Sequence, residues 1–438
     1  MFQNSKGRKS LHRFYCEVSG LGGYSRVLAL AAVWMAASFL WCGSGAEVRL
    51  GSEVLADRTF GPLRGKRVGL LTNATGVDRH GRSTIDRLRR AADCRLVALF
   101  APEHGLRGEH PAGREFPNGT DATTKLPVYS LYGPGPVRKP TRAMLKGIDV
   151  LVYDVQDTGC RSYTYISTMG LAMEACGEAG VEFVVLDRPN PLGGQRVEGA
   201  MLNPKFRSFV GRWDIPYLYG MTCGELARMI EGERWITNRC RLTVVPMHGW
   251  RRSMVWDDTG LPWVATSPNV PRASTVLHLV ATGLLGEIGG VSIGMGTDRP
   301  FEYLAAPWID GARLARILND YGLPGLRYEP AVITPTRGLY RGKRLSGVRL
   351  RLTKPAEAPL VALNFYALEA FKKLAGRDLF ADAIKRKQSF TMFDKVNGTD
   401  ATRKALQAGK TARYLVSNWE PDLEQFRKRR QAYLLYSP

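Results

Sequence analysis

The chain has 438 residues, 44% of them hydrophobic, and a formal net charge of +22 at pH 7. This length exceeds one ordinary domain and can bury a substantial core, so the composition argues against a disordered chain and predicts two folded domains. The positive charge indicates an anionic partner, such as nucleic acid, an anionic surface or a polyanionic substrate.

The first 46 residues have the pattern of an export signal. A basic segment precedes an uncharged apolar run of about 15 residues at 27–41, and the small residues Gly43-Ser-Gly-Ala46 follow. The run is shorter than the roughly 20 residues that span a bilayer. We therefore expect residues 1–46 to be a cleaved signal peptide, with an uncleaved membrane anchor as the alternative, and the protein to be periplasmic or extracellular.

Most of the positive charge lies beyond residue 46, because the leader carries only five basic side chains and one acidic side chain. An exported protein does not normally meet nucleic acid. The cell wall is therefore the expected anionic partner, and the membrane is a partner only if the leader stays attached.

Five short runs rich in β-branched residues are typical of buried parallel strands, at 67–72, 95–100, 149–154, 182–187 and 242–245. Helical patterns alternate with them, and capping-box spacing at 83–86 and 222–225 marks two helix starts. This alternation predicts a Rossmann-like, doubly wound α/β domain over residues 47–270.

From about residue 271 the pattern changes to that of a smaller α+β auxiliary domain, which we expect over residues 271–438. Asp310 is placed to cap a helix, residues 348–352 alternate as a half-exposed strand would, and residues 363–374 have helical periodicity. The five cysteines beyond the leader show no zinc-site spacing, so we expect buried thiols.

Polar residues follow four of the predicted strands, where an open α/β sheet binds its ligands. They are Asn73; Glu103 and His104; Asp154, Gln156, Asp157 and Arg161; and Asp187, Arg188 and Asn190. A Gly-x-Gly-x-x-Gly motif is missing after the first strand, and a phosphate-binding loop and a Gly-x-Ser-x-Gly elbow are missing throughout. The sequence therefore predicts a catalytic cleft that uses no cofactor.

Several of these segments are similar to a known family. This chain resembles the NamZ-type exo-β-N-acetylmuramidases in the segments Pro102-Glu-His-Gly-Leu-Arg-Gly108, Leu126-Pro-Val-Tyr-Ser-Leu-Tyr-Gly133, Asp154-Val-Gln-Asp-Thr-Gly-Cys-Arg-Ser-Tyr-Thr-Tyr165 and Leu186-Asp-Arg-Pro-Asn-Pro-Leu-Gly-Gly194. The resemblance covers essentially all of the chain beyond the leader. It implies a glycoside hydrolase that releases terminal β-linked N-acetylmuramic acid, or a related amino sugar, from peptidoglycan fragments.

The resemblance implies that Glu103 is the catalytic acid/base, with His104 as its orienting neighbour. Glycoside hydrolysis commonly uses a second carboxylate, and the candidates are Asp157, Asp154, Glu198 and Glu287. A separation near 5 Å would indicate a covalent intermediate and a wider gap an activated water, while the 2-acetamido group of the substrate could itself attack.

Asn73, Gln156, Tyr163, Tyr165 and Asn190 are candidate contacts for sugar hydroxyl and acetamido groups. The lactyl carboxylate of muramic acid requires a cation, for which the candidates are Arg161, Arg188 and Arg299.

One glycine-rich loop departs from the family. It reads Ser292-Ile-Gly-Met-Gly-Thr297 where the family usually has Ser-Glu-Gly-Arg-Gly-Thr, and Arg299 and Glu302 follow as further candidate contacts. The loop thus loses one acid and one base, from which we expect hydrolase activity with modified specificity.

Two other classes of protein are compatible with the same residues. A metal-assisted hydrolase could use His80, His104 and His110 with the aspartates at the strand ends. A non-catalytic protein that binds cell-wall glycans would also explain the basic charge and the altered loop.

Overall fold

The N-terminal half of the described chain alternates strands and helices, as the sequence pattern predicts. In the computed structural model, which describes residues 47–134 and 138–438, these elements are α1 (Gly51–Asp57), β1 (Arg67–Thr72), α2 (Thr84–Arg90), β2 (Arg95–Ala101), β3 (Gly119–Thr120), β4 (Pro127–Ser130), α3 (Arg142–Leu145), β5 (Val150–Asp154), α4 (Tyr165–Ala179), β6 (Glu182–Leu186), β7 (Glu198–Met201), β8 (Pro216–Leu218), α5 (Cys223–Gly232) and β9 (Leu242–Val245). The expected signal peptide lies outside the described residues.

Seven of these strands form one sheet in the order β3-β4-β2-β1-β5-β6-β9. Its pairs are parallel except for β3, which runs antiparallel to β4. The order from β4 to β9 is that of a Rossmann fold, and the chain changes direction across the sheet between β1 and β5. The predicted Rossmann-like domain is confirmed, and the direction change places a ligand crevice beyond the carboxyl ends of β1 and β5.

The strands and helices form where local chemistry favours them. All five residues of β5 are buried, which fits the continuous apolar run of a strand covered on both faces. Thr222 and Glu225 form the predicted reciprocal capping box at the start of α5. Ser83 caps α2 by accepting a hydrogen bond from the backbone N–H of Ile85, without a reciprocal acidic partner.

The C-terminal half is a smaller domain built on a three-stranded antiparallel sheet in the order β10-β12-β11. Asp310 caps the helix that follows it, as predicted. The elements are α6 (Ala273–Ile288), β10 (Tyr303–Ala306), α7 (Gly311–Asn319), β11 (Leu326–Ile333), β12 (Leu345–Leu352), α8 (Leu360–Ala375), α9 (Leu379–Lys385), α10 (Thr391–Asn397), α11 (Ala401–Gln407) and α12 (Ala412–Arg430).

The two halves share one hydrophobic core. A single cluster of buried side chains contains Met169 of α4, Leu284 of α6 and Phe365 of α8. After α12 the chain returns to the main sheet, where the Tyr436 hydroxyl donates to Asp187 at 2.5 Å. Residues 48–438 form one compact unit, so a domain boundary near residue 270 stays a prediction.

The described residues contain neither a disulfide nor a helix that could cross a bilayer. The five described cysteines are all free thiols; four are buried and Cys94 is half-buried. Within the described residues no helix has the length and apolar character to cross a bilayer.

Candidate active site

Glu103 lies two residues beyond the end of β2 and is only 9% exposed. One of its carboxylate oxygens accepts a hydrogen bond from the Gly113 N–H at 2.8 Å, and the other accepts from the Thr164 hydroxyl at 2.7 Å. The Tyr132 hydroxyl is also hydrogen bonded to Glu103. Burial, together with the charge of Glu103, raises the pKa of Tyr132 to about 12. Three donors from separate segments thus fix the position of this carboxyl group.

The loop after Glu103 is shaped by His104, which has a left-handed backbone with φ of +75°. The His104 ring contacts the His110 carbonyl through Nδ1 at 2.9 Å, and the His110 N–H donates to the His104 carbonyl at 3.1 Å. The His110 ring stacks on Phe116 with 4.4 Å between centroids. His104 therefore closes the loop and orients its neighbour Glu103.

Two tyrosines at the start of α4 connect Glu103 to the end of β1. The Tyr165 hydroxyl is hydrogen bonded to the side chain of Asn73 and to the Thr266 carbonyl, the latter at 2.5 Å. The Tyr163 hydroxyl donates to Thr266 Oγ1 at 2.9 Å, and the two rings meet edge to face. Burial raises the pKa of both hydroxyls, and the charge of Glu103 adds to this effect. Asn73, Glu103, Tyr163 and Tyr165 are therefore neighbours in the fold.

Asp157 is the candidate second carboxylate nearest to these tyrosines. Its charge contributes to the raised pKa of Tyr163 and Tyr165, so it lies within electrostatic reach of both. One oxygen accepts from the Gly159 N–H at 2.7 Å and from the Tyr219 hydroxyl at 2.9 Å. Burial raises the pKa of Asp157 to about 7. A carboxyl group with such a pKa changes its charge near neutral pH.

The other three carboxylate candidates have different roles. Asp154 is fully buried and accepts from Arg188 Nε and from Thr84 Oγ1, both at 2.6 Å. Glu198 accepts from the Val361 N–H at 3.0 Å at the start of α8, and burial raises its pKa. Glu287 lies in the last turn of α6, where burial raises its pKa. None of these three contacts Glu103 or the tyrosines in the described structure.

A small cavity lies over the ends of β1 and β5. It offers about 20 Å³ to the centre of a water molecule and is lined by Thr75, Gln156, Arg188 and Trp256, among others. Gln156 Nε2 donates to the carbonyls of Asp157 and Pro189 at 2.8 Å each, and its backbone N–H donates to Thr75 Oγ1 at 2.8 Å. A cavity of this size holds one water-sized group.

Arg161 does not reach this site. Its guanidinium is completely buried and donates to the carbonyls of Ala200, Ile215 and Asn397 at 2.7–2.8 Å, and to that of Val396 at 3.3 Å. Burial lowers its pKa to about 10. These contacts occupy both terminal nitrogens of a guanidinium that is completely buried, and only its Nε has no partner in the described structure. Arg161 therefore holds α10 against β7 and β8 and is not accessible to a substrate carboxylate.

The Asn190 side chain likewise forms its hydrogen bonds within the fold and not with a ligand. Its side-chain N–H group donates to the Met221 carbonyl at 3.0 Å, and its oxygen accepts from the Leu192 N–H at 2.9 Å. The same side chain covers Gly159, where an added Cβ would lie 2.2 Å from the Asn190 oxygen. This contact requires glycine at 159.

Arg299 and Glu302 follow the altered loop at 292–297. Glu302 is 4% exposed and accepts from the Arg349 guanidinium at 2.8 and 3.0 Å. Arg272 and Arg299 each approach it to 3.6 Å, and the Arg299 side chain is 38% exposed. Because Arg272 lies only six residues after Thr266, this arginine cluster is linked through a short segment to the tyrosines of the site.

Sequence reasoning did not single out Tyr132, Thr164 or Thr266. Tyr132 and Thr164 stand inside segments that resemble the family, and that resemblance was the available signal. Thr266 had no signal, because it reaches the site only through the path of the chain after β9.

The histidines proposed for a metal site do not converge on carboxylates. Among residues 47–134 and 138–438, no group of three or more His, Cys, Asp or Glu side chains is arranged to hold a metal ion. The ring of His104 uses Nδ1 for the His110 carbonyl, within its own loop.

Comparisons with known proteins find similar proteins along most of the chain. Family models of the exo-beta-N-acetylmuramidase NamZ match residues 68–274 with their N-terminal part and 279–436 with their C-terminal part. The peptidoglycan beta-N-acetylmuramidase NamZ of Bacillus subtilis (strain 168) is 41% identical over 390 residues, covering 89% of this chain and 92% of that protein.

Two crystal structures of DUF1343 family proteins from Bacteroides fragilis NCTC 9343 have a similar fold. One has a TM-score of 0.82 and 44% identity, covering 89% of this chain and 99% of its own. The other has a TM-score of 0.73 and 32% identity, covering 90% and 99%.

Proposed function

The chain belongs to the exo-β-N-acetylmuramidase NamZ family, and we propose that it is an exo-acting glycoside hydrolase that releases terminal β-linked N-acetylmuramic acid from peptidoglycan fragments. The observation that carries this proposal is the placement of Glu103. Its carboxyl group is held by Gly113, Thr164 and Tyr132 beside the crevice where an open α/β sheet binds its ligands.

Glu103 is the acid/base of the proposed reaction. Its fixed carboxyl group delivers a proton to the glycosidic oxygen as the bond to the leaving sugar breaks. A water molecule supplies the new hydroxyl group at the anomeric carbon, and its other proton restores the carboxyl group of Glu103. The Tyr163 and Tyr165 hydroxyls keep their protons over the working pH range, since burial raises the pKa of both. They therefore remain donors to Thr266, whose segment they hold at the edge of the site.

Asp157 acts through its neighbours. It is 4% exposed, and one oxygen is held by Gly159 and Tyr219, so it is poorly placed to attack a sugar carbon directly. Because the pKa of Asp157 is about 7, its charge changes with pH near neutrality. This charge acts on the hydroxyls of both tyrosines. We assign Asp157 as a positioning residue.

Recognition of the lactyl carboxylate falls to Arg188 or Arg299, because the Arg161 guanidinium is completely buried and both of its terminal nitrogens bind backbone carbonyls. Arg188 lines the small cavity together with Gln156, and it is held there by Asp154 and by the Val77 carbonyl at 2.9 Å. Arg299 has the more exposed guanidinium and lies next to the altered loop. The exposed position of Arg299 supports a modified specificity for the sugar or its substituent.

The test is a Glu103→Gln variant assayed on a disaccharide with terminal β-linked N-acetylmuramic acid, with the released sugar identified by mass spectrometry. We expect kcat to fall by about 10²- to 10⁴-fold with the fold unchanged, because the amide cannot transfer a proton. Glu178→Gln is the matched control: Glu178 lies near the far end of α4, where it binds Lys139, and the control should keep full activity.

Full activity in Glu103→Gln would remove Glu103 from the mechanism. If neither the unmodified protein nor the control releases sugar although both bind the disaccharide, the protein is a glycan-binding protein and not a hydrolase.

We further propose that the protein is exported and acts on the cell wall. Support comes from the basic segment and apolar run within residues 1–46 and from the peptidoglycan substrate of the relative from Bacillus subtilis. The mass of the protein recovered outside the cytoplasm should correspond to a chain that starts at residue 47. Recovery of the intact chain from the cytoplasm would contradict export.

A further inference from the structure

The edge of the main sheet opposite Glu103 carries a positive surface that the proposed reaction does not use. β1, β2, β5, β6 and β9 are parallel, so their amino ends lie along one edge. Six exposed basic side chains lie beside these strand starts: Arg64, Arg89, Arg90, Arg95, Lys146 and Arg241. We call these six residues the amino-edge patch.

Backbone contacts hold parts of the patch together. The Arg95 N–H donates to the Lys66 carbonyl at 3.0 Å, and the Gly65 N–H donates to the Asp93 carbonyl at 2.6 Å, which places Arg64 beside Arg95. Arg89 and Arg90 end α2, the helix that precedes β2. The patch is thus formed by segments whose positions are fixed by hydrogen bonds between backbone groups.

Two negative charges along this edge are paired with other cations, and the exposed Asp93 before β2 forms no ion pair within the described residues. Asp149 forms a two-bond ion pair with Arg67, and Glu182 binds Lys66 at 2.8 Å. Arg241 also approaches Glu182 to 3.1 Å, but its side chain is 79% exposed. Within the described residues, the other five members of the patch form no ion pair, so the edge has a net positive charge.

Stabilisation of helix ends explains only part of this charge. Arg89 and Arg90 in the last turn of α2 interact favourably with the helix dipole. Arg64, Arg95 and Arg241 lie outside the helices and have no such role. A cluster that the fold does not require is a candidate interaction surface.

We propose that the amino-edge patch docks the protein on the surface of a phospholipid bilayer rich in anionic headgroups, which makes the membrane a partner even of the chain without its leader. Basic side chains near such a surface are attracted by its negative potential. The patch contains no aromatic side chain on which a base could stack, which favours a charged surface over a nucleic acid.

Docking in this orientation has a consequence for the catalytic site. The strands of the main sheet have four to seven residues, so their two edges lie roughly 15–25 Å apart. With the amino edge on the bilayer, Glu103 faces away from the lipid and towards the glycan.

The test uses residues 47–438 and vesicles of phosphatidylglycerol and phosphatidylcholine in equal parts, compared with phosphatidylcholine alone. Co-sedimentation at low salt should show at least about tenfold stronger binding to the anionic vesicles, and 0.5 M salt should abolish it. The triple variant Arg64→Glu, Arg90→Glu, Arg95→Glu should lose about tenfold or more of this binding.

The matched control is Arg313→Glu, Arg316→Glu, Arg327→Glu, which changes the net charge equally at exposed positions of the C-terminal domain. It should lose less than about threefold, because these residues are not in the patch. An equal loss in both variants, or no binding to anionic vesicles, would overturn the proposal. The proposal would also be overturned if the binding of a DNA duplex depended on the patch while the binding of vesicles did not. Circular dichroism of both variants confirms that they fold.

Discussion

Single buried residues of the site differ in how far their polar atoms are paired within the fold. Backbone carbonyl and N–H groups bind both terminal nitrogens of Arg161 and both polar atoms of the Asn190 side chain. Arg161 Nε and Asp157 Oδ1 have no partner in the described structure, and Asp157 lies within electrostatic reach of Tyr163 and Tyr165. Sequence reasoning identified the right strand ends but could not separate these cases, because the partners of Arg161 come from residues 200, 215, 396 and 397.

The raised pKa of Asp157 predicts a pH-dependent stability. The carboxyl group has a pKa of about 7 in the folded protein, against 3.8 for an ordinary Asp. Its contribution is therefore fully present below pH 3.8 and is lost as the pH rises through 7. Relative to the unmodified protein, Asp157→Asn should gain stability between pH 4 and 7, measured as the free energy of unfolding at each pH.

Asp149→Asn is the contrasting control for this measurement. The hydrogen bonds from Arg67 lower the pKa of Asp149 to about 2, so its contribution is present above pH 3.8 and is lost as the pH falls through 2. The stability difference for this variant should stay constant between pH 4 and 7. A constant difference for Asp157→Asn over the same range would contradict a raised pKa.

At the scale of elements, long apolar runs were predictable and short or polar elements were not. β1, β5, β6 and β9 lie within one residue of the predicted ranges, because each is a run of β-branched residues. β4 was not predicted, because it has only four residues, starts with Pro127 and is only partly buried. The short helices α9 to α11 have seven residues each, too few for a clear periodicity.

The end of α12 and the segment after it have contacts that the sequence pattern did not predict. The Arg430 guanidinium donates to the carbonyls of Gly220 at 2.6 Å and Tyr219 at 2.9 Å. Tyr436 binds Asp187, which also accepts from Thr222 at 2.7 Å. Burial raises the pKa of Asp187 to about 6. The end of the chain therefore supplies a hydrogen-bond donor to a buried carboxyl group beside Arg188.

Tyr436→Phe tests this contact. The variant leaves Asp187 with one donor fewer, and we expect a loss of about 1–3 kcal/mol in the free energy of unfolding by urea. Tyr414→Phe on the exposed face of α12 is the matched control and should cost less than about 0.5 kcal/mol. Equal costs for the two variants would mean that the Asp187 contact contributes nothing.

For the whole molecule, the shared core predicts cooperative unfolding. Buried side chains from the main sheet, from α6 and from α8 belong to one cluster, so neither half can expose its face alone without a large cost. We expect a single calorimetric transition, although two family models divide the chain near residue 275. Two well-separated transitions would show that the halves unfold independently.

The contacts of Arg161 with Val396 and Asn397 have a further consequence for synthesis on the ribosome. When the Rossmann-like half, residues 47–270, has left the exit tunnel, the residues after 270, which include Val396 and Asn397, have not yet emerged. Until those residues emerge, the Arg161 guanidinium lacks two of its carbonyl acceptors, and one apolar face of the nascent sheet remains exposed to solvent. Chaperones that shield exposed apolar surface should therefore associate with this chain until the last helices emerge.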